Sequence, residues 1–301
     1  MADELIVLGC GYTGKRLAKE AVERGYEVVG TSRDEDSLDH LRDIGATPVK
    51  WDVLENDLRG IEQHFGPDTA LVYSIPTIYR KYDDERDGVP RHVAPVKKVL
   101  SGAREHGLER FIYLSSTSVY GDSKGDWVDE TTSTDPASPY GRMREDIEEF
   151  LLGAKVPFPV NVARLVGIYG PDRTIVDYIE SGRYKLVDGG VKPTNRIHVD
   201  DIVESVLKMV ESDSTQSRIY NVCDGHPLRV VDLVDFLVDH LDIERPDEMS
   251  LEDYARLRGP NVAARWKNMY RCKNERLTEE LGVELKYPDA RAGYRAIFDI
   301  E

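Results

Sequence analysis

An α/β fold built on a doubly wound parallel sheet is the architecture this sequence predicts, on three observations. The first is LIVLGCGYTG at residues 5–14, an apolar run that breaks on Gly9-x-Gly11-x-x-Gly14 and opens into KRLAKEAVERG. The second is alternation. Apolar runs at 27–32, 47–52, 69–74, 110–116, 159–165 and 218–223 recur with helically spaced segments such as 92–106 and 143–152 between them. The third is length, since 301 residues can hold two domains, or one large α/β domain with a smaller appendage.

Leu5 to Leu8 read as a buried parallel strand. Gly9 permits a tight turn, Gly11 lets the backbone approach a pyrophosphate, and Gly14 lets the next helix pack close to the strand. That helix places Leu17, Ala18, Ala21 and Val22 on one face and ends at Gly25. Its N-terminal N–H groups and dipole favour a bound phosphate. From Pro227 onward the pattern turns to helices with polar connections, VVDLVDFLVDHL and then LEDYARLRG. Together with the Gly- and Pro-punctuated stretch 171–198 they predict a second lobe over the strand ends. The expected division is therefore not sequential. Residues 1–170 plus 199–226 form a dinucleotide-binding Rossmann domain, and 171–198 plus 227–301 form a small, mostly C-terminal substrate lobe.

Acidic residues exceed basic ones by sixteen, which argues against a nucleic-acid partner, because phosphate backbones need clustered Lys and Arg. Acidic clusters such as Asp34-Glu35-Asp36 and Asp83-Asp84-Glu85 fit a strongly hydrated surface or a salt-rich cytoplasm. No apolar run reaches membrane-spanning length, and MADELIVLG lacks the marks of a secretory signal, so a cytoplasmic location is expected. Cys10, Cys223 and Cys272 are far apart and read as reduced thiols. The seven histidines form no HxxH or HxxxH pair, and no metal site is expected.

The second strand of such a fold ordinarily ends in an acid about twenty residues past the glycines, where it holds the ribose 2′-OH of NAD. Here Thr31-Ser32-Arg33 occupies that place. Hydroxyls followed by a guanidinium suit a 2′-phosphate, so NADP is preferred and NAD stands second. The competing reading is an exposed Arg33 paired with Asp34. Asp52, at the end of the third strand, could receive the adenine amino group or cap a turn. Tyr12 and Thr13 open the first helix beside the glycines, and Ser74 ends the fourth strand where a dinucleotide would pass.

RFIYLSSTSVYG (110–121) ends an apolar strand in hydroxyls, and Tyr140 follows Ser116 by 24 residues in SPYGRMREDIEEF. Carbonyl/alcohol chemistry needs a group that gives or takes the substrate's proton. A tyrosine phenol can do so if nearby positive charge lowers its pKa from about 10. A serine at the neighbouring strand end can hold the substrate oxygen. Taken singly, Ser115, Ser116 and Ser118 read as strand-end caps and Tyr140 as an amphipathic residue at a helix start.

In combination these segments resemble the short-chain dehydrogenase/reductase superfamily, specifically its extended, epimerase/dehydratase-like branch. GCGYTG, SSTSVYG, Pro139-Tyr140-Gly141, ARLVGIYGP (163–171), NRIHVDDI (195–202), YNVCDG (220–225) and ELGVELKYPD (280–289) carry the resemblance over nearly the whole chain. It implies that Ser116 is the catalytic Ser/Thr and Tyr140 the catalytic tyrosine. Where the family has a lysine four residues after that tyrosine, this chain has Arg144, which supplies permanent charge and ribose hydrogen bonds but cannot relay a proton. His92 replaces a usual asparagine. Thr194 stands where the sugar-nucleotide enzymes have an arginine, which is displaced here to Arg196. NRIHVDD with SSTSVYG is similar to the atypical bacterial branch.

The implied activity is NAD(P)-dependent oxidoreductase or epimerase/dehydratase-like chemistry on a hydroxyl or carbonyl of a small, sugar-derived substrate. The alternative is an NADP-binding sensor or scaffold whose turnover is lost with the lysine. A homodimer is compatible with either reading. Tyr169-Gly170-Pro171 borders the expected lobe or is a plain turn. Arg196 is a candidate contact for an anionic substrate, Arg173 and Arg183 read as solvated charge, and His198 is either a core histidine or a ligand contact.

Overall fold

The computed structural model describes residues 2–77, 85–86 and 89–300; Asp83 and Asp84 lie outside them. Seven strands form one parallel sheet: β1 (Glu4–Leu8), β2 (Glu27–Ser32), β3 (Thr47–Lys50), β4 (Thr69–Tyr73), β5 (Arg110–Ser116), β6 (Val160–Leu165) and β7 (Arg218–Val222). Their spatial order is β7-β6-β5-β4-β1-β2-β3. The chain thus winds from β1 to one edge, returns, and winds to the other. The reversal lies between β1 and β4, where folds of this kind leave a crevice at the carboxyl ends of the strands.

Five helices cover the sheet: α1 (Tyr12–Glu23), α2 (Glu35–Asp43), α3 (Ala94–His106), α4 (Pro139–Gly153) and α5 (Val199–Val210). Both faces of β1 are dry, which is why its sequence is a continuous apolar run. Leu5 and Val7 join Leu17, Ala18, Leu41, Ile202 and Val206 in the core beneath α1, α2 and α5. Ile6 and Leu8 point the other way, into a core with Val99, Leu100, Phe111, Ile147 and Leu151 from β5, α3 and α4.

A third apolar cluster lies outside the sheet. It joins Tyr169, Ile175, Ile179 and Leu186 to Val230, Leu233, Val234 and Leu237 of α6 (Val230–His240) and to Ala290 and Tyr294 near the C-terminus. The buried spacing in α6 is i, i+3, i+4, i+7, one helical face. Two-residue strands tie this region together, with Leu186–Val187 beside Glu248–Met249 and Pro193–Thr194 beside Leu228–Arg229. Cys272, Leu277 and Val283 belong to the sheet's own core.

Two element boundaries differ from the apolar pattern, each for a local reason. The third strand ends at Lys50, because Asp52 turns the chain by accepting the Leu54 N–H at 2.9 Å. α4 begins at Pro139 rather than near 143. Ser138 caps it by accepting the Gly141 N–H at 3.1 Å, and proline suits the first helical position. The acidic cluster at 34–36 is the start of α2. Asp34 caps that helix and Glu35 and Asp36 occupy its first turn, where the helix dipole favours negative charge. Among the described residues no helix is long and apolar enough to cross a membrane.

Candidate active site

The three glycines after β1 have three different surroundings. Gly9 has φ +94°, and a Cβ there would meet Ile75 at 3.0–3.2 Å, so the turn needs glycine. Gly14 is a close approach: its Cβ would fall 2.5 Å from the Gly9 carbonyl oxygen. Gly11 is the opposite, with φ −84° and no atom within 4 Å of a Cβ. α1 begins there with no side-chain cap, so its first N–H groups are left for another acceptor. An open Gly11 beside an uncapped helix start fits the pyrophosphate of a dinucleotide.

A cleft of about 920 Å³ runs from this loop across the carboxyl ends of β1, β2, β4 and β5. Gly9, Gly11, Tyr12 and Thr13 line its middle, and Ser74 lines the β4 side. Ser32, Arg33, Asp34 and Asp52 close one end. There Ser32 Oγ accepts the Asp34 N–H at 3.1 Å, while Asp34 accepts the Ser37 N–H and hydroxyl at 2.9 and 2.7 Å. Asp34 is thus committed to its own helix. Arg33, 61% exposed, reaches Asp52 instead, at 3.3 Å. Asp52 both caps its turn and pairs with Arg33.

The other end carries Leu114, Ser115, Thr77 and Arg144. Of the three expected catalytic residues, Arg144 is on this wall, whereas Ser116 and Tyr140 are not among its lining residues. Ser116 Oγ accepts the Ser118 N–H at 3.2 Å and so caps the turn Thr117–Val119. Tyr140 is 44% exposed in the first turn of α4. What brings its helix onto that turn is Gly141, whose Cβ would lie 2.6 Å from the Ser118 carbonyl oxygen. Arg144, one turn on, donates to the Tyr140 carbonyl at 3.0 Å. Beneath the wall, burial pushes the Tyr113 phenol up to about 12 although Thr77 and the Arg144 charge oppose it.

Sequence reasoning missed the group behind this wall. Ser115 donates to Glu148, which holds Arg164 through contacts of 2.7 and 3.0 Å; all three are buried. Arg164 also lies 4.8 Å from the centre of the Tyr120 ring, whose hydroxyl donates to Asn221 at 2.8 Å. One signal was available: Tyr140, Arg144 and Glu148 are spaced i, i+4, i+8 and share a helix face. His92, where the family has asparagine, contacts Asp146 of the same helix at 2.7 Å.

Toward the third cluster, Tyr12 donates to the Pro171 carbonyl at 2.8 Å, with Arg16 and Arg173 over its ring at 4.1 and 5.3 Å. Tyr169-Gly170-Pro171 is therefore joined directly to the start of α1, between the cleft-lining residues Ile168 and Arg173. Arg173 is a stacked wall residue, and Arg183 stacks over Tyr178 at 4.9 Å. His198 is a core histidine. Its Nδ1 accepts the Asp200 N–H at 3.2 Å, and burial holds its pKa down at about 4.

Comparison with known proteins agrees with this geometry. Residues 5–223 match the NAD dependent epimerase/dehydratase family. The chain is 27% identical over 293 residues to protein YeeZ of Escherichia coli, covering 95% of this chain and 97% of that one. It is 28% identical over 240 residues to the 4-hydroxy-2-methyl-3-oxo-4-farnesyl-3,4-dihydroquinoline-1-oxide ketoreductase of Stigmatella aurantiaca, covering 77% and 71% of the two chains. A conserved protein of unknown function from Silicibacter pomeroyi superposes with TM-score 0.80 at 30% identity, over 98% of each chain. With its glycine loop, strand order and cleft in place, the chain belongs to the NAD-dependent epimerase/dehydratase family.

Proposed function

We propose that this enzyme uses NADP in preference to NAD and acts on a hydroxyl or carbonyl of a small, sugar-derived substrate. Tyr140 is the acid/base, Ser116 holds the substrate oxygen, and Arg144 supplies positive charge beside them and binds the nicotinamide ribose. The observation that carries this reading is one cleft with an uncapped helix start at its middle, Ser32 and Arg33 at one end and Arg144 at the other. Residues 1–170 with 199–226 are then the dinucleotide-binding unit, and 171–198 with 227–301 the substrate lobe, of which Cys272, Leu277 and Val283 pack into the sheet's core. Three buried free cysteines fit a reducing, cytoplasmic setting.

A bound nicotinamide dinucleotide supplies the hydride acceptor or donor. Arg33, which reaches Asp52 from the exposed side, would hold a 2′-phosphate, and Ser32 would add a hydroxyl. At the other end, Arg144 lies one turn from Tyr140 on the same helix face and donates to its backbone carbonyl. Proton transfer from that phenol goes directly to substrate or water, because a guanidinium does not pass protons on. Family membership and the ketoreductase relative favour this enzymatic reading over a turnover-free sensor.

The test is NADPH-linked turnover, screened over nucleotide sugars and carbonyl compounds and repeated with variants. Tyr140→Phe is expected to lose roughly a hundredfold or more in rate while NADPH affinity stays within about twofold. Arg144→Lys is expected to retain turnover. Full activity in Tyr140→Phe would remove the proposed acid/base.

A further inference from the structure

After β3 the chain makes a turn, residues 51–57, that closes the cleft beside Arg33. Trp51, Asp52, Val53 and Leu54 line that wall. Much of the turn is closed on itself. The Asp52 carbonyl accepts the N–H groups of Glu55 and Asn56 at 3.2 and 2.9 Å, and Asn56 Oδ1 accepts the Asp52 N–H at 2.7 Å. The Trp51 indole donates to the Asp57 carbonyl at 2.8 Å. These bonds fix the shape of the turn. They do not fix where it sits on the protein.

Its seat is on α3. The Lys98 ammonium donates to the Val53 carbonyl at 2.6 Å and to the Asn56 carbonyl, and it lies 5.4 Å from the centre of the Trp51 ring. One side chain therefore touches the turn near its beginning, middle and end. An ammonium suits this task because it is a compact cation with three donors and can serve two carbonyls at once. One helical turn further along the same face, Gly102 leaves room for the chain beyond the turn, since a Cβ there would collide with Leu58.

The ammonium is held to backbone rather than to an ion pair. Both of its hydrogen bonds end on neutral carbonyls. Burial lowers the Lys98 pKa, against the opposing charges of Asp57 and Asp52. A partly desolvated cation is unfavourable in itself, so an unpaired lysine at the rim of a cleft calls for a role beyond surface solvation.

We propose that Lys98 is a positioning residue for the adenosine half of the dinucleotide, holding the 51–57 turn in the place where that half meets it. This deepens the function proposed above and rests on it for the direction of the dinucleotide, with adenosine toward Arg33 and nicotinamide toward Arg144. Lys98 is not among the residues that line the cleft; it acts through the backbone of Val53 and Asn56. A turn already in place need not be ordered at the moment of binding, and that raises affinity. The adenosine half is common to NADPH and NADH. Lys98 therefore sets the affinity for both, whereas Arg33 grades one against the other.

The test is calorimetric titration of NADPH and NADH into the parent, Lys98→Met and Lys98→Arg, with hydrogen exchange of the turn amides followed before and after dinucleotide is added. Lys98→Met should bind both dinucleotides about five- to tenfold more weakly and leave their ratio unchanged. Exchange at Glu55 and Asn56 should speed up in that variant and slow again once dinucleotide is bound. Lys98→Arg, which keeps the charge and the donors, should recover most of the affinity. Parental affinity for both dinucleotides in folded Lys98→Met overturns the proposal, as does a loss of affinity with exchange in the turn unchanged. If neither dinucleotide binds the parent, the dinucleotide reading falls, and exchange in the ligand-free proteins decides separately whether Lys98 holds the turn.

Discussion

Asp224, Asp201 and His198 are buried ionisable residues whose pH signatures oppose one another. Burial raises the Asp224 carboxyl from 3.8 to about 7 and that of Asp201 to about 6, and lowers His198 from 6.5 to about 4. The two acids contribute stability that is complete below about 4 and lost as pH rises through 6 to 7. His198 contributes stability that is complete above its unfolded value and lost as pH falls through about 4. Asp224→Asn removes one of the two acids from this balance. Relative to the parent, that variant should gain up to about 1.4 kcal/mol per pH unit between roughly pH 4 and 7, measured by urea unfolding. A stability difference that stays constant with pH would contradict the buried, proton-binding Asp224. At this scale the sequence was legible where structure is local, as in the turn at Gly9 and the close approach at Gly14. The choice of Asp52 over Asp34 as partner of Arg33 was not legible, because it depends on Asp34 already serving Ser37.

α4 is the element on which the proposed chemistry turns, and a buried ion pair behind it holds it to the sheet. Glu148 lies two turns past Tyr140 and binds Arg164 of β6, while Gly141 seats the first turn on the Ser118 carbonyl. Removing one partner of a buried pair leaves an uncompensated charge, so Glu148→Ala should cost about 3–5 kcal/mol in denaturant titration. Replacing both residues by apolar ones of similar size, Glu148→Leu with Arg164→Met, should restore most of that loss. A single variant as stable as the parent would show that the pair does not anchor the helix. The shared face of Tyr140 and Arg144 could be read from spacing, whereas the cap Ser138 could not, because the apolar pattern begins only near 143. The partner of Glu148 could not, because it lies on another element, and sequence distance carries no information about contact across a sheet.

Across the whole molecule, the seven-stranded sheet was legible because parallel strands buried on both faces must be written as apolar runs, and those runs are present in order. Long-range closures were not legible. Tyr12 bonds Pro171 across 159 positions, and Arg271–Cys272 pairs with Trp127–Val128. Neither leaves a periodic trace. The first brings the third apolar cluster against the glycine loop and the second ties the C-terminal part to the sheet's own core, so the cleft depends on both ends of the chain. The central claim is that this cleft is a dinucleotide site entered at Gly11 and graded by Arg33. Calorimetric titration of NADPH and NADH into the parent protein and into Gly11→Val tests it most directly. The side chain at Gly11 meets only open space, so the variant should fold as the parent does. NADPH should bind the parent about tenfold more tightly than NADH, as a charge-assisted phosphate contact predicts, and both should be lost in Gly11→Val. Undiminished NADPH binding by a folded Gly11→Val protein would contradict the account.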